Sequence, residues 1–163
     1  MLVAVQILAI LLAALSMTAA LGHALEMPGK LRLAREHYLA VQTIYYPGFT
    51  VAGGLGEIGT IPASAALALM LPPGSAASRL AWAACASALA VQALYWLVVH
   101  PVNRHWLKDS ELDAASERFF NTGADDHTAG WTALRDRWER GHAIRAVFAT
   151  LALVLLAAAT ASA

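Results

Sequence analysis

Residues 131–145 read WTALRDRWERGHAIR and lead directly into the apolar run AVFATLALVLLAAATA at 146–161. On a helix, Trp131, Leu134, Trp138, His142 and Arg145 fall on one face, and Ala149 continues that face into the apolar run. A segment that only anchors a chain has no use for an ordered stripe of aromatic and basic residues. Such a stripe needs other helices to cover it, so the stretch predicts a helical bundle rather than a lone membrane anchor.

The composition agrees. Of the 163 residues, 59% are hydrophobic and 13% are charged, about half the charged share of a typical soluble domain. Mean hydropathy is +0.56. The expectation is an all-α, polytopic membrane protein: one four-helix integral membrane domain over residues 1–163. Formal net charge is zero, which gives no basis for a nucleic-acid partner. The single cysteine, Cys85, excludes an internal disulfide and any metal site built on several thiolates. It reads as a small apolar residue facing lipid or a neighbouring helix.

Four spans are expected, over about residues 2–25, 47–71, 76–99 and 142–161. The first competes with a cleaved signal peptide. No Lys or Arg precedes it and the run is long for a signal core, which favours an uncleaved span. Pro28-Gly29 is expected to stop the first helix, Pro101 the third, and Pro62 lies inside the second. Two short interfacial helices are expected in the loops. One runs from Leu31 to Tyr45 with Tyr38, Tyr45 and Tyr46 at headgroup depth, and the other covers Asp109–Phe120. The long last helix is expected to begin near Thr128.

Ten of the eleven basic residues fall in the first and third loops or beside them, and only Arg79 lies on the other side. This asymmetry predicts a bacterial-type inner-membrane protein with both termini away from the cytoplasm. The polar motifs then collect at the cytoplasmic end. His23 and Glu26 close the first span, His100, Asn103 and Arg104 close the third, and Trp138, Glu139, His142 and Arg145 open the fourth. Glu57 lies about ten residues into the second span, roughly 15 Å deep at 1.5 Å per residue. Gln92 should sit at a similar depth on the third span.

A carboxyl so placed is costly unless it is protonated, paired or wetted. Glu57 is therefore a candidate proton donor or relay, or a structural acid hydrogen-bonded to Gln92. For Arg145 the partner is Glu26 or Glu57. His23 and His142 are candidates for acid–base work or substrate binding, and for ligation of a haem or a single metal ion. Arg104 and Arg145 are candidates to hold an anionic oxygen, against the plainer reading of basic residues that reach toward headgroups. Trp106 and Trp131 read as interfacial anchors, and His37, His105 and His127 as solvated residues.

Pro101-x-Asn103-Arg104 after the third span, followed by Trp138-x-x-x-His142-x-x-Arg145 at the head of the fourth, resembles a family of small four-helix membrane proteins. That family is of unknown function for the most part and includes the anthrone oxygenases of aromatic polyketide pathways. The resemblance implies an all-helical bundle and, by analogy with its characterised members, oxidation of an anthrone to an anthraquinone with dioxygen. It also implies that Asn103, Trp138, His142 and Arg145 are shared functional or core positions. The segment HALEMPGKLRL and the deep Glu57 lie outside the shared motifs.

Two functions are carried forward. The first is an oxidoreductase acting on a small lipophilic molecule in a polar pocket near the cytoplasmic face. His142 would act as base, Arg145 and Asn103 would hold the oxyanion, and His23, Glu26, Trp138 and Gln92 would line the site. Electron-rich enolates can react with dioxygen without a metal, so a missing cofactor would not count against this chemistry. The second is a non-enzymatic, proton-coupled carrier or channel component using Glu57 and Gln92, plausible for so small a chain as a homo-oligomer, or an accessory membrane subunit.

Overall fold

The computed structural model describes residues 1–45, 48–106 and 130–163. Its elements are α1 (Leu2–Lys30), α2 (Arg35–Gln42) with a closing 3-10 turn (Thr43–Tyr45), α3 (Gly48–Met70), α4 (Ala76–Leu94), a π-helical turn (Tyr95–Val99), α5 (His100–Trp106) and α6 (Trp131–Ala161). No strand occurs among the described residues. Four helices are long and apolar enough to cross a membrane: Leu2–Lys30, Gly48–Met70, Ala76–Arg104 and Trp131–Ala161. Tyr46, Pro47 and the expected helix Asp109–Phe120 lie outside the described residues, as do His127, the start near Thr128 and the side chains of His105 and Trp106.

The four long helices form a ring. α1 packs on α3 and α6, and α4 packs on the same two. Helices in lipid gain little from apolar burial against one another and cohere by close packing of small residues. The half of the bundle near the α3–α4 turn follows that rule, with Ala9, Ala13, Leu67, Ala81, Leu156 and Ala159 at its centre. Ser75 caps α4 there, accepting from the Ser78 N–H at 3.1 Å. Cys85 faces the neighbouring helix, with its sulfur 3.6 Å from the Ile61 carbonyl oxygen. One crossing requires glycine outright. A Cβ on Gly56 would sit 2.5 Å from the Ser16 backbone nitrogen and 2.9 Å from the Leu12 carbonyl oxygen. That contact draws α3 against α1 one residue before Glu57.

At the opposite end, Tyr45, Val99, Val102 and Trp138 replace the alanines. On α6 the stripe from Trp138 through His142, Arg145, Ala149 and Ala152 to Leu156 is buried, while Val147 and Val154 face outward.

Pro28 does not stop α1, which continues to Lys30. A proline in the last turn removes one hydrogen bond, too little to unwind a packed helix end. The two added residues bury Lys30, whose Nζ lies 3.2 Å from Glu139 Oε1 on α6.

Pro101 does not end the third span either, because the helix continues past it to Trp106. The π-helical turn absorbs the disruption: the His100 N–H bonds the Tyr95 carbonyl, five residues back. Pro101 has no N–H for the Leu97 carbonyl, and Arg137 Nη2 on α6 donates to that oxygen at 2.9 Å.

Tyr38 and Tyr45 do not face headgroups as anchors, because both side chains are buried within the protein. The Tyr38 hydroxyl donates to Glu139 Oε1 at 2.8 Å, and the Tyr45 hydroxyl donates to Glu26 Oε2. Burial first, and the adjacent carboxylates second, push both phenols above their ordinary value. They therefore remain donors.

Candidate functional site

Between the alanine-packed half and the tyrosine-sealed end lies a cavity of about 150 Å³. Every long helix contributes to it. His23 comes from α1, Phe49, Gly54 and Glu57 from α3, Gln92 from α4, and Trp138, His142 and Arg145 from α6. Tyr45, Tyr95, Trp96 and Asn103 complete the wall from the 3-10 turn, the π-helical turn and α5. Gly141 admits this convergence. A Cβ there would lie 2.9 Å from Val99 Cγ2 and 3.1 Å from Val98 Cγ1, so α6 approaches the π-helical turn only without one.

The charged floor of the cavity is a buried pair. Arg145 Nη2 is ion-paired with Glu57 Oε1, and both side chains are almost fully enclosed. Gln92 Nε2 donates to the other Glu57 oxygen at 3.1 Å. The choice between Glu26 and Glu57 as partner of Arg145 thus falls to Glu57. The Arg145 guanidinium also lies over the Tyr95 ring, 5.2 Å from its centroid.

Arg145 reaches a third group. Its Nη1 is 3.0 Å from His142 Nδ1. A guanidinium can only donate, so Nδ1 is the acceptor and the neutral ring carries its proton on Nε2. His142 is thereby set as a hydrogen-bond donor at its far nitrogen.

Its neighbour His23 is held differently. The two imidazoles lie against each other with centroids 4.2 Å apart and planes tilted by 51°. Tyr45, Phe49 and Trp138 surround His23 with centroid distances of 4.5, 4.9 and 5.0 Å. His23 Nδ1 is buried and has no hydrogen-bond partner among the described residues. The pair does not fit a haem between two histidines. Metal–nitrogen bonds of about 2 Å on each side would hold the ring centres much farther apart. Nor do three His, Cys, Asp or Glu side chains gather as a ligand set among the described residues.

Asn103 Oδ1 accepts from Trp138 Nε1 at 2.7 Å, and the Asn103 side chain also hydrogen-bonds the Tyr95 hydroxyl. With its carbonyl committed to Trp138, Asn103 fixes two walls of the cavity. Glu26 and Arg104 do not line it. Glu26 instead holds Tyr45 from outside. Of the residues singled out in the sequence, His23, Glu57, Gln92, Asn103, Trp138, His142 and Arg145 share this one cavity.

The walls made by Tyr45, Phe49, Tyr95 and Trp96 escaped the sequence reading, as did the Lys30–Glu139–Tyr38 cluster behind Trp138. Part of the signal was present. Gln92, Trp96, Val99 and Asn103 follow one another at helical spacing.

The cavity offers aromatic faces on its sides, a fixed donor and a cation at one edge, and an imidazole whose Nδ1 has no hydrogen-bond partner among the described residues. No curated protein and no solved structure matches the chain. The sequence model of the anthrone oxygenase family matches residues 49–155, from the start of α3 through most of α6. That stretch supplies every cavity residue named above except His23 and Tyr45. The chain belongs to the anthrone oxygenase family.

Proposed function

We propose that the protein is a membrane oxidoreductase that oxidises a small, flat, lipophilic ketone with an acidic methylene group, of which anthrone is the model, using dioxygen. The observation that carries this reading is the pairing of an unpartnered imidazole, His23, with a donor imidazole, His142, in one aromatic cavity.

His23 removes a methylene proton. The electron pair moves into the ring system, and the negative charge settles on the ketone oxygen. His142 Nε2–H donates to that oxygen, with the Arg145 cation behind it. The carbanionic carbon and dioxygen then form a C–O bond, giving a peroxide. Loss of the second methylene proton breaks the O–O bond and releases water. One anthrone and one dioxygen yield one anthraquinone and one water, with four electrons passing from carbon to oxygen.

From the sequence, the base was expected to be His142. Because Arg145 donates to Nδ1 of His142, we assign that role to His23 instead. Asn103, expected to hold the oxyanion, becomes a positioning residue for Trp138 and Tyr95. A proton relay through Glu57 finds less support, because Arg145 and Gln92 engage both oxygens of that carboxylate.

The cavity lies toward the basic end of the bundle, which we assign to the cytoplasmic side of an inner membrane, with both termini opposite. Purified protein in proteoliposomes should convert anthrone with one dioxygen consumed per anthraquinone formed. A rate no higher than that of empty liposomes would refute the reading.

A further inference from the structure

The cavity is closed toward the loops and open toward the side. On the loop side, Tyr45 and Trp138 seal it, each at most 5% exposed. Behind them Lys30, Glu139 and Tyr38 are locked together, with the Lys30 ammonium 4.8 Å above the Trp138 ring. On the lateral side, the lining residues are half open to the surroundings. Ile58 on α3 is 63% exposed and Trp96 on the π-helical turn is 50% exposed.

Thr50, Gly54 and Ile58 follow one another at four-residue spacing along α3 and line the cavity. Their outward neighbours Val51 and Leu55 belong to the exposed apolar surface of the same helix. Gly54 and Ile58 lie about 9 and 15 Å along α3 from its start, by helical rise. A mouth at that position on an apolar helix faces hydrocarbon.

We infer that the cavity loads sideways from the bilayer, through a mouth between α3 and the π-helical turn, and that Gly54 keeps this mouth open. The identity of the ligand rests on the oxidoreductase reading; the route does not. A Cβ added at Gly54 would meet nothing within 4 Å, so a larger side chain there fits without disturbing the bundle and projects into free space. Volume strengthens the case. A cavity of about 150 Å³ has room for a single aromatic ring. A three-ring ligand must leave part of itself in the mouth, against Gly54 and Trp96, while its reacting ring lies against His23 and His142. The site therefore selects molecules that dissolve in the membrane.

Two readouts test this in lipid vesicles. The first is a nitroxide on a Cys introduced at position 54, in a Cys85→Ala background. Relaxation enhancement by dioxygen with little effect from a water-soluble nickel chelate is expected. Stronger enhancement by the chelate would overturn lateral loading. The second is anthrone oxidation by Gly54→Phe, with Val51→Phe on the adjacent lipid-facing position as control. Gly54→Phe should lose at least tenfold in kcat/KM while remaining folded by circular dichroism, and Val51→Phe should match the wild type. Equal rates for both variants would overturn the role of Gly54. Wild-type protein that leaves anthrone untouched, with a label that responds to dioxygen alone, would refute the proposed reaction and leave the route standing.

Discussion

The Arg145 guanidinium and the Glu57 carboxylate form a buried ion pair that crosses the bundle from α6 to α3. Removing one partner strands the other charge away from water. Glu57→Leu or Arg145→Met alone should cost about 3–5 kcal/mol, and the double variant Glu57→Leu/Arg145→Met should recover much of that loss. Unfolding of the four proteins in the same detergent measures the coupling. Purely additive losses would mean that the two charges do not support each other.

The buried phenols give stability a dependence on alkaline pH. In the unfolded chain a tyrosine ionises near its ordinary value of 10.0; Tyr38 and Tyr45 in the folded protein resist ionisation beyond that. Their contribution is whole below pH 10 and falls as pH rises above it, because only the unfolded state then releases protons. The unfolding midpoint should decline above pH 10, and the double variant Tyr38→Phe/Tyr45→Phe should decline less steeply. Parallel declines would place the effect on other groups.

Close approach of α1 and α3 depends on the absence of one methyl group. Gly56→Ala should destabilise the bundle by about 1–3 kcal/mol, since the new Cβ meets backbone atoms that cannot move aside. Gly29→Ala serves as the contrast, because a methyl there meets nothing within 4 Å. It should be neutral or stabilising by up to about 1 kcal/mol. Thermal scans of the two variants would expose an error if both behaved alike.

Much of the bundle could be read from spacing. Span length and hydropathy located the four long helices, and the repeat from Trp138 to Arg145 identified the inward face of α6. Counting residues from each end brought Glu57 and Gln92 to one level, and they do hydrogen-bond.

What failed were readings that treated a residue by its usual environment. Tyr45 at a span boundary looks like a headgroup anchor; here the chain folds back and buries it. Lys30 counts in the sequence only as one of the basic loop residues; it completes a buried cluster with Glu139. Pro101 looks like a helix stop, yet a π-helical turn and a hydrogen bond from Arg137 carry the helix past it. The role of His142 turns on which nitrogen Arg145 reaches. That choice depends on side-chain geometry, which spacing does not contain.

The central claim is that His23 takes a proton from carbon while His142 donates to oxygen. The most direct measurement is deuterium incorporation into the anthrone methylene, in deuterated buffer without dioxygen, catalysed by the protein in vesicles. Wild-type protein should exchange the methylene protons well above the protein-free rate. His23→Ala should lose on the order of 10²–10⁴-fold, the usual contribution of a general base. His142→Ala should lose roughly 10²–10³-fold, the usual contribution of one oxyanion donor. Undiminished exchange by His23→Ala would contradict the account.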